Sequence, residues 1–278
     1  GGADVNAALP GGACVAMHFA AVEGDEEMVP RLESRGADVE GGTRRGGETP
    51  LYLAAMFGHA AAARRLLEGG AEASRAGPGG ASPLRVACYG GYFEAARALV
   101  EGGADVGQVD RKGSSPLRMA CQNGHVDVAR LLIEKDADVG QAKNTGATPL
   151  FMACQNGHVD VARMLIEKDA DVGQADNDGI APLLVACAYG HVDVARLLSE
   201  KDADVGQANN GGYTPLFVAC DNGHVDVARL LIEKGADVGQ ANNNGAAPLW
   251  IACQTGHVDA ARLLIEKDAD VGQAKNNG

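Results

Sequence analysis

The stretch TPLFMACQNGHVDVARMLIEKDADVGQADNDGI, Thr148 to Ile180, decides how the whole chain reads. Its pattern recurs along almost all of the 278 residues. A Pro-Leu step marks the phase at Pro50, Pro83, Pro116, Pro149, Pro182, Pro215 and Pro248, with 33 residues between successive prolines. A period in this range is the mark of a stacked array, in which each unit buries its apolar side against its neighbours.

Within the unit, the residues predict two short antiparallel helices and a connection. Thr148 suits a helix N-cap, and Pro149 the first helical position, where a missing N–H costs nothing. Leu150, Met152 and Ala153 give this helix an apolar side, and Gly157 can take the left-handed conformation that ends it. The second helix opens near His158. Asp160 falls in its first turn, where the helix dipole favours an anion. Val161, Met164 and Leu165 follow the i, i+3, i+4 spacing of a buried face. Arg163 and Glu167 stand one turn apart on the wet side, a pairing worth about 0.2–0.5 kcal/mol. Asp169 to Gly179 is a polar, glycine-bearing connection to the next unit.

The TPL step, the Gly-His pair, the LLIEK run and the Ala-Asp-Val step resemble the ankyrin repeat, and the resemblance covers nearly the whole chain. It implies an all-α solenoid of stacked helix-turn-helix units with hairpin-like connecting loops, one ankyrin repeat domain over 1–278. It also implies a concave surface of hairpin tips and first helices, with a binding rather than catalytic role.

Taken in order, Gly2-Ala3-Asp4-Val5 reads as the tail of a unit whose helices are absent. The first recognisable copy, about Val15 to Val39, is degraded. Ala16 stands for the proline, and Arg31 and Glu33 fill places that later hold Leu131 and Ile133. Pro30 is expected to interrupt the second helix, at a cost of about 3 kcal/mol. The second copy, from Thr49, carries Arg65 where a core Leu is expected. Its run Ala60 to Ala63 is expected to be helical but to pack little. The third, from Ser82, follows the loop Gly77-Pro78-Gly79-Gly80. Copies starting at Ser115, Thr148, Ala181, Thr214 and Ala247 are nearly identical, which suggests recent internal duplication. The repeats are thus degenerate over about 1–110 and near-identical over about 111–274. The last residues, Lys275-Asn276-Asn277-Gly278, open a further loop. Both ends fall inside a repeat, so the chain reads as a segment of a longer protein.

Three departures from the ankyrin pattern matter. The family's His after TPL is present only as His18; Tyr52, Arg85, Arg118, Phe151, Leu184, Phe217 and Trp250 replace it. The Gly before Ala-Asp-Val survives at Gly36, Gly70, Gly103 and Gly235 but is Asp at Asp136, Asp169, Asp202 and Asp268. A left-handed backbone there costs a non-Gly residue about 1 kcal/mol, though Asp tolerates it better than most. The family's Asn after Ala-Asp-Val appears only at Asn6. Gly107, Gly140, Gly173, Gly206 and Gly239 replace it, so hydroxylation of those asparagines finds no support.

Composition narrows the function classes. Hydrophobic residues make up 46% and aromatics 4%, so the core is aliphatic. A net charge of −13 argues against general binding to nucleic acid or an anionic membrane surface. No apolar run approaches the roughly 20 residues of a membrane span. Six of seven cysteines, Cys88, Cys121, Cys154, Cys187, Cys220 and Cys253, share one slot late in the first helix. Such equivalent points on stacked helices lie about 8–10 Å apart, whereas a disulfide needs Cα atoms within about 7 Å. The thiols therefore read as small buried hydrophobes in a reducing, cytoplasmic setting, and the same spacing argues against zinc.

His59, His125, His158, His191, His224 and His257 each open a second helix after a glycine, which favours a structural role over a ligand ladder. Asp176-Asn177-Asp178-Gly179 is similar to a calcium loop, but the acidic residue required six positions after the Gly is Val185. No G-x-S-x-G, H-E-x-x-H or phosphate-binding loop is present, so no enzyme site, cofactor or metal is expected. Arg44, Arg45, Arg64, Arg65, Arg111, Lys112 and Arg118 make the early units locally basic. This reads either as a solvated face or as a patch for an acidic partner segment.

What remains is variation at equivalent positions. Ser114, Ala147, Ile180, Tyr213 and Ala246 form one set. Gln122, Gln155, Ala188, Asp221 and Gln254 form a second; Asn123, Asn156, Tyr189, Asn222 and Thr255 a third. In the ankyrin family these places line the binding face. The expected protein-binding surface is Arg118, Gln122, Phe151, Gln155, Ile180, Leu184, Tyr189, Tyr213, Phe217, Asp221, Trp250 and Gln254, with Phe151, Phe217 and Trp250 as apolar anchors. The chain then reads as a monomeric scaffold that binds a protein partner. The alternatives are a non-catalytic segment of a larger enzyme, channel or ligase adaptor, and a spacer without a specific partner.

Overall fold

The computed structural model describes residues 5–7, 15–43 and 46–272. The expected features at Gly2 to Asp4, at Arg44 and Arg45, and at Lys275 to Gly278 lie outside them. The described residues form sixteen α-helices in eight pairs and no strand. They fall into two compact units, Gly1–Asn144 and Thr145–Gly278.

The first unit holds α1 (Ala16–Glu23), α2 (Met28–Glu33), α3 (Pro50–Met56), α4 (Ala60–Glu68), α5 (Pro83–Gly90), α6 (Phe93–Glu101), α7 (Pro116–Gln122) and α8 (Val126–Ile133). The second holds α9 (Pro149–Gln155), α10 (Val159–Glu167), α11 (Pro182–Ala188), α12 (Val192–Glu200), α13 (Pro215–Asp221), α14 (Val225–Glu233), α15 (Pro248–Thr255) and α16 (Val258–Glu266). In each unit the odd-numbered helices stack in one layer and the even-numbered helices in a second. The longest of them has nine residues. Isolated helices under about 12–15 residues are marginal in water, so packing must hold these.

The helix starts follow from their capping residues. The hydroxyls of Thr49, Ser82, Ser115, Thr148 and Thr214 each accept the backbone N–H three residues on, at 3.1–3.3 Å. Ala181 and Ala247 occupy the same place and provide no cap. The core repeats with the sequence: Leu150, Leu183 and Leu216 from the first helices, and Leu165, Leu198, Leu231 and Leu264 from the second, are at most 1% exposed. Each such side chain contributes about 1.5–3 kcal/mol by leaving water. Val161, Met164, Met152 and Ala153 are buried beside them.

Asp136, Asp169, Asp202 and Asp268 do adopt the left-handed backbone, with φ of 61–63°. Their short polar side chains make them better tolerated there than most L-residues.

Three local expectations are corrected, and Arg65 takes an exposed place. Pro30 sits at the third residue of α2 and does not interrupt it. The first N–H groups of a helix have no intrahelical acceptor, so nothing is lost. Arg65 is exposed and pairs with Glu68 at 2.9 Å, in the slot where Leu197 and Leu230 are buried; Leu66 fills its own slot, that of Leu198 and Leu231. Ala62 and Ala63 are fully buried rather than loosely packed, because small side chains let neighbouring helices approach closely. Arg163 and Glu167 are exposed and form no ion pair, as is common where water competes for both charges.

Candidate functional site

The loops that join the repeats are tight hairpins. In the second unit Asp176 N–H donates to the Ile180 carbonyl at 3.0 Å, while Asp176 Oδ1 accepts from the N–H groups of Asp178 and Ile180 at 2.9 Å. Asn209 and Asn242 make the same turn, as does Asp110 in the first unit. The acidic stretch at 176–179 is thus a turn built around one side chain.

Successive tips are tied to one another. The N–H of Asn177 donates to the Thr145 carbonyl at 3.0 Å, Asn210 to Asp178 at 3.1 Å and Asn243 to Gly211 at 3.1 Å. The side-chain amides of Asn210 and Asn243 add bonds to the preceding asparagine's carbonyl at 3.2 and 3.0 Å. Sequence reasoning missed this asparagine rail. Its signal was present in the 33-residue spacing of Asn144, Asn177, Asn210 and Asn243. At the other end of each loop, Asp171, Asp204 and Asp237 Oδ1 accept the N–H two residues on at 2.8 Å. The glycine that replaces the family's asparagine supplies that N–H.

The histidines are structural. His191 Nε2 donates to the Gln155 carbonyl at 3.0 Å and His224 Nε2 to the Ala188 carbonyl at 3.2 Å. In the first unit His59 reaches Val22 at 2.8 Å and His125 reaches Tyr89 at 3.1 Å. Each ring closes on the end of the preceding first helix. His18 is buried, accepts the Val15 N–H on Nδ1 at 3.2 Å and donates from Nε2 to the Glu48 carbonyl at 3.2 Å. Desolvation holds its pKa below the ordinary value.

On this framework the expected binding residues divide. In the second unit Tyr189 is 56% exposed, Gln254 is exposed, and Gln155, Ile180, Tyr213, Asp221 and Trp250 are half-buried. Tyr189 stacks on His191 with ring centroids 6.3 Å apart, and its hydroxyl accepts from Gln155 Nε2 at 3.3 Å. Phe151, Leu184 and Phe217 are buried, at 7%, 3% and 3%. Phe151 and Phe217 therefore do not stand as exposed anchors. Phe217 packs edge-on against Tyr213 at 5.1 Å and fills space under the hairpin. Ser114, Ala147 and Ala246 are also buried, because that position is the foot of the hairpin rather than its tip.

In the first unit Gln122 is half-buried and Arg118 is only 5% exposed. Arg118 Nη1 donates to Ser114 Oγ at 3.2 Å. Burial and the nearby Arg85 lower its pKa, while Asp110 opposes that shift. Arg85 pairs with Asp110 at 3.0 Å. The same unit exposes Met56, Phe57, Tyr89 and Tyr92, which sequence reasoning did not single out. Met56 and Tyr89 occupy the slot of Gln122 and Gln155, so alignment of all copies would have shown them.

Five ladder cysteines are buried: Cys88, Cys121, Cys154, Cys187 and Cys220. Burial pushes their thiols upward, that of Cys220 to about 12. Cys253 departs from the expectation and is exposed. Among the described residues no helix pair follows α16 to close its slot.

A family model described as ankyrin repeats (3 copies) matches residues 17–110, 103–176 and 183–275. No curated protein matches the chain.

Proposed function

Because the chain belongs to the ankyrin repeat family, we propose that it is a non-catalytic protein-binding module. Its partner is gripped on hairpins and first helices, with Gln155, Tyr189, Asp221, Trp250 and Gln254 as the contact set in the second unit. Arg118, Gln122, Phe151, Ile180, Leu184, Tyr213 and Phe217 support or flank such contacts in their own units. One observation carries this reading. Gln155, Ala188, Asp221 and Gln254 occupy equivalent positions of α9, α11, α13 and α15, and Tyr189 follows Ala188. The buried residues around them barely change between copies, while these outward ones do. Amide and aromatic groups on a rigid frame suit protein recognition. The ladder of unpaired thiols fits a reducing, cytoplasmic setting, and the reading is of a monomer.

A photo-crosslinking residue at 254 tests this. One saturable crosslinked protein is expected, lost in the Gln155→Ala/Tyr189→Ala double variant with unchanged thermal unfolding. Crosslinking without saturation, or unaffected by the double variant, would favour a spacer.

A further inference from the structure

We propose that the contact face of the second unit takes a basic partner segment, one that presents Lys or Arg side chains to Asp178 and Asp221. This deepens the protein-binding reading and rests on it. Among the described residues of this unit, every Lys and Arg lies on a second helix or at its C-cap: Arg163 and Lys168, and their equivalents in the next three copies. The hairpins and first helices, which hold the contact set, carry aspartates and no Lys or Arg. The repeat itself does not require this. In the first unit the corresponding segments carry Arg75, Arg85, Arg111, Lys112, Arg118 and Lys143.

Most of these aspartates are committed to the fold. Asp171, Asp204 and Asp237 each hold the N–H two residues on, and Asp176 closes its hairpin. Asp178 and Asp221 are not committed. Asp178 is exposed at a hairpin tip, Asp221 is half-buried as the last residue of α13, and neither carboxylate meets a donor or a cation among the described residues. Asp221 is also poorly placed as a helix residue, because the C-terminal end of a helix disfavours an anion. The equivalent slots hold Gln155, Ala188 and Gln254 and avoid that charge. A carboxylate that opposes its own helix and meets nothing within the chain points to a cation outside it.

The groups around Asp221 fit a long basic side chain. The preceding first helix, α11, packs on α13 and ends at Ala188, in the slot equivalent to Asp221. Such slots on packed helices lie about 8–10 Å apart. Ala188 is the smallest residue of its row, and Tyr189 beside it is 56% exposed. An aromatic ring suits both the aliphatic stem and the charged end of Lys or Arg. The residues that follow these helix ends add no cation at once: Asp193 and Asp226 are exposed in the first turns of α12 and α14, and Arg196 and Arg229 come one turn later. Opposite charge across an interface fixes partner choice and register.

Panning a random-peptide display library on the intact chain tests this. The expected peptides carry Lys or Arg. Asp221→Gln and Asp178→Asn copy Gln254 and Asn244, the residues that neighbouring repeats hold in those slots, so the fold accommodates both. Each is expected to weaken the peptides about fivefold and the pair more than about tenfold. Added salt should weaken them further. Asp221→Gln should leave the unfolding midpoint unchanged or raise it; a fall would assign the carboxylate a structural role and overturn the proposal. Basic peptides that bind the double variant as well as the unaltered chain would report only the net charge of −13, and would also overturn it. Neutral or acidic peptides lost through Tyr189→Ala would overturn it and leave the general binding reading standing. Recovery of no peptide that depends on Tyr189 or Gln254 would overturn both.

Discussion

The His191 imidazole lies so close to Gly157 of the preceding repeat that a methyl group there would stand 2.7 Å from Nδ1. The same ring holds the Gln155 carbonyl, so glycine and histidine form one interlock between neighbouring repeats. Gly190 with His224, and Gly223 with His257, repeat it. This explains why the two residues travel as a pair.

Substituting Gly190 therefore carries two penalties. Its φ of 75° strains any L-residue, and the new methyl displaces His224 from the Ala188 carbonyl. Gly235 has a φ of 91° and nothing within 4 Å of an added methyl. Gly235→Ala is expected to cost about 1–2 kcal/mol, from strain alone. Gly190→Ala should cost a further 1–3 kcal/mol or so, through the lost hydrogen bond and the displaced ring. Urea unfolding of both variants checks this. Adding His224→Ala to Gly190→Ala should cost less than the sum of the singles, because the clash is already removed.

The two uncapped first helices offer a gain. Ala181 and Ala247 are as buried as Thr148 and Thr214, so the repeat accommodates a threonine at this position. Ala181→Thr and Ala247→Thr are each expected to add about 1 kcal/mol, and Thr214→Ala to remove a similar amount. A fall in the unfolding midpoint on adding either threonine would contradict the shared geometry.

Thiol reactivity should separate the six ladder cysteines. The thiolate is the reactive form, and burial suppresses both its formation and its access. Without denaturant, Cys253 is expected to be labelled rapidly and the other five slowly, with mass spectrometry locating the label. Rapid labelling of Cys187 or Cys220 would show that their slots open readily.

Acid should loosen the first helix pair. His18 is held neutral by burial, so its folded pKa lies below the unfolded value of about 6.5. The unfolded state then binds more protons as pH falls. The stability due to His18 is complete above about pH 6.5 and declines from there down to the folded pKa. Amide exchange in α1 and α2 should accelerate between about pH 7.5 and about pH 5, after correction for intrinsic rates. His18→Gln should flatten that dependence. An unchanged dependence would assign it to other groups.

Much of the architecture was legible because its determinants are local and periodic. The N-cap hydroxyl, the proline after it, the turn glycine and the i, i+3, i+4 apolar spacing each act within one or two helical turns. The left-handed aspartates were legible for the same reason, since they occupy a slot that glycine holds in other copies. Pro30 was misjudged because its effect depends on which helical position it takes, and only the folded backbone shows that the helix starts at Met28.

The sequence by itself determined the repeat, its phase, its helices and its interior leucines, because a 33-residue period leaves one way to bury the apolar side of each short helix. Only the tertiary structure decided which outward slots meet water. Phe217 is 3% exposed whereas Trp250, in the same slot one repeat later, is half-buried. Exposure at such a slot depends on the neighbouring hairpin and on the helix about 33 residues away. No pattern within one repeat contains that information.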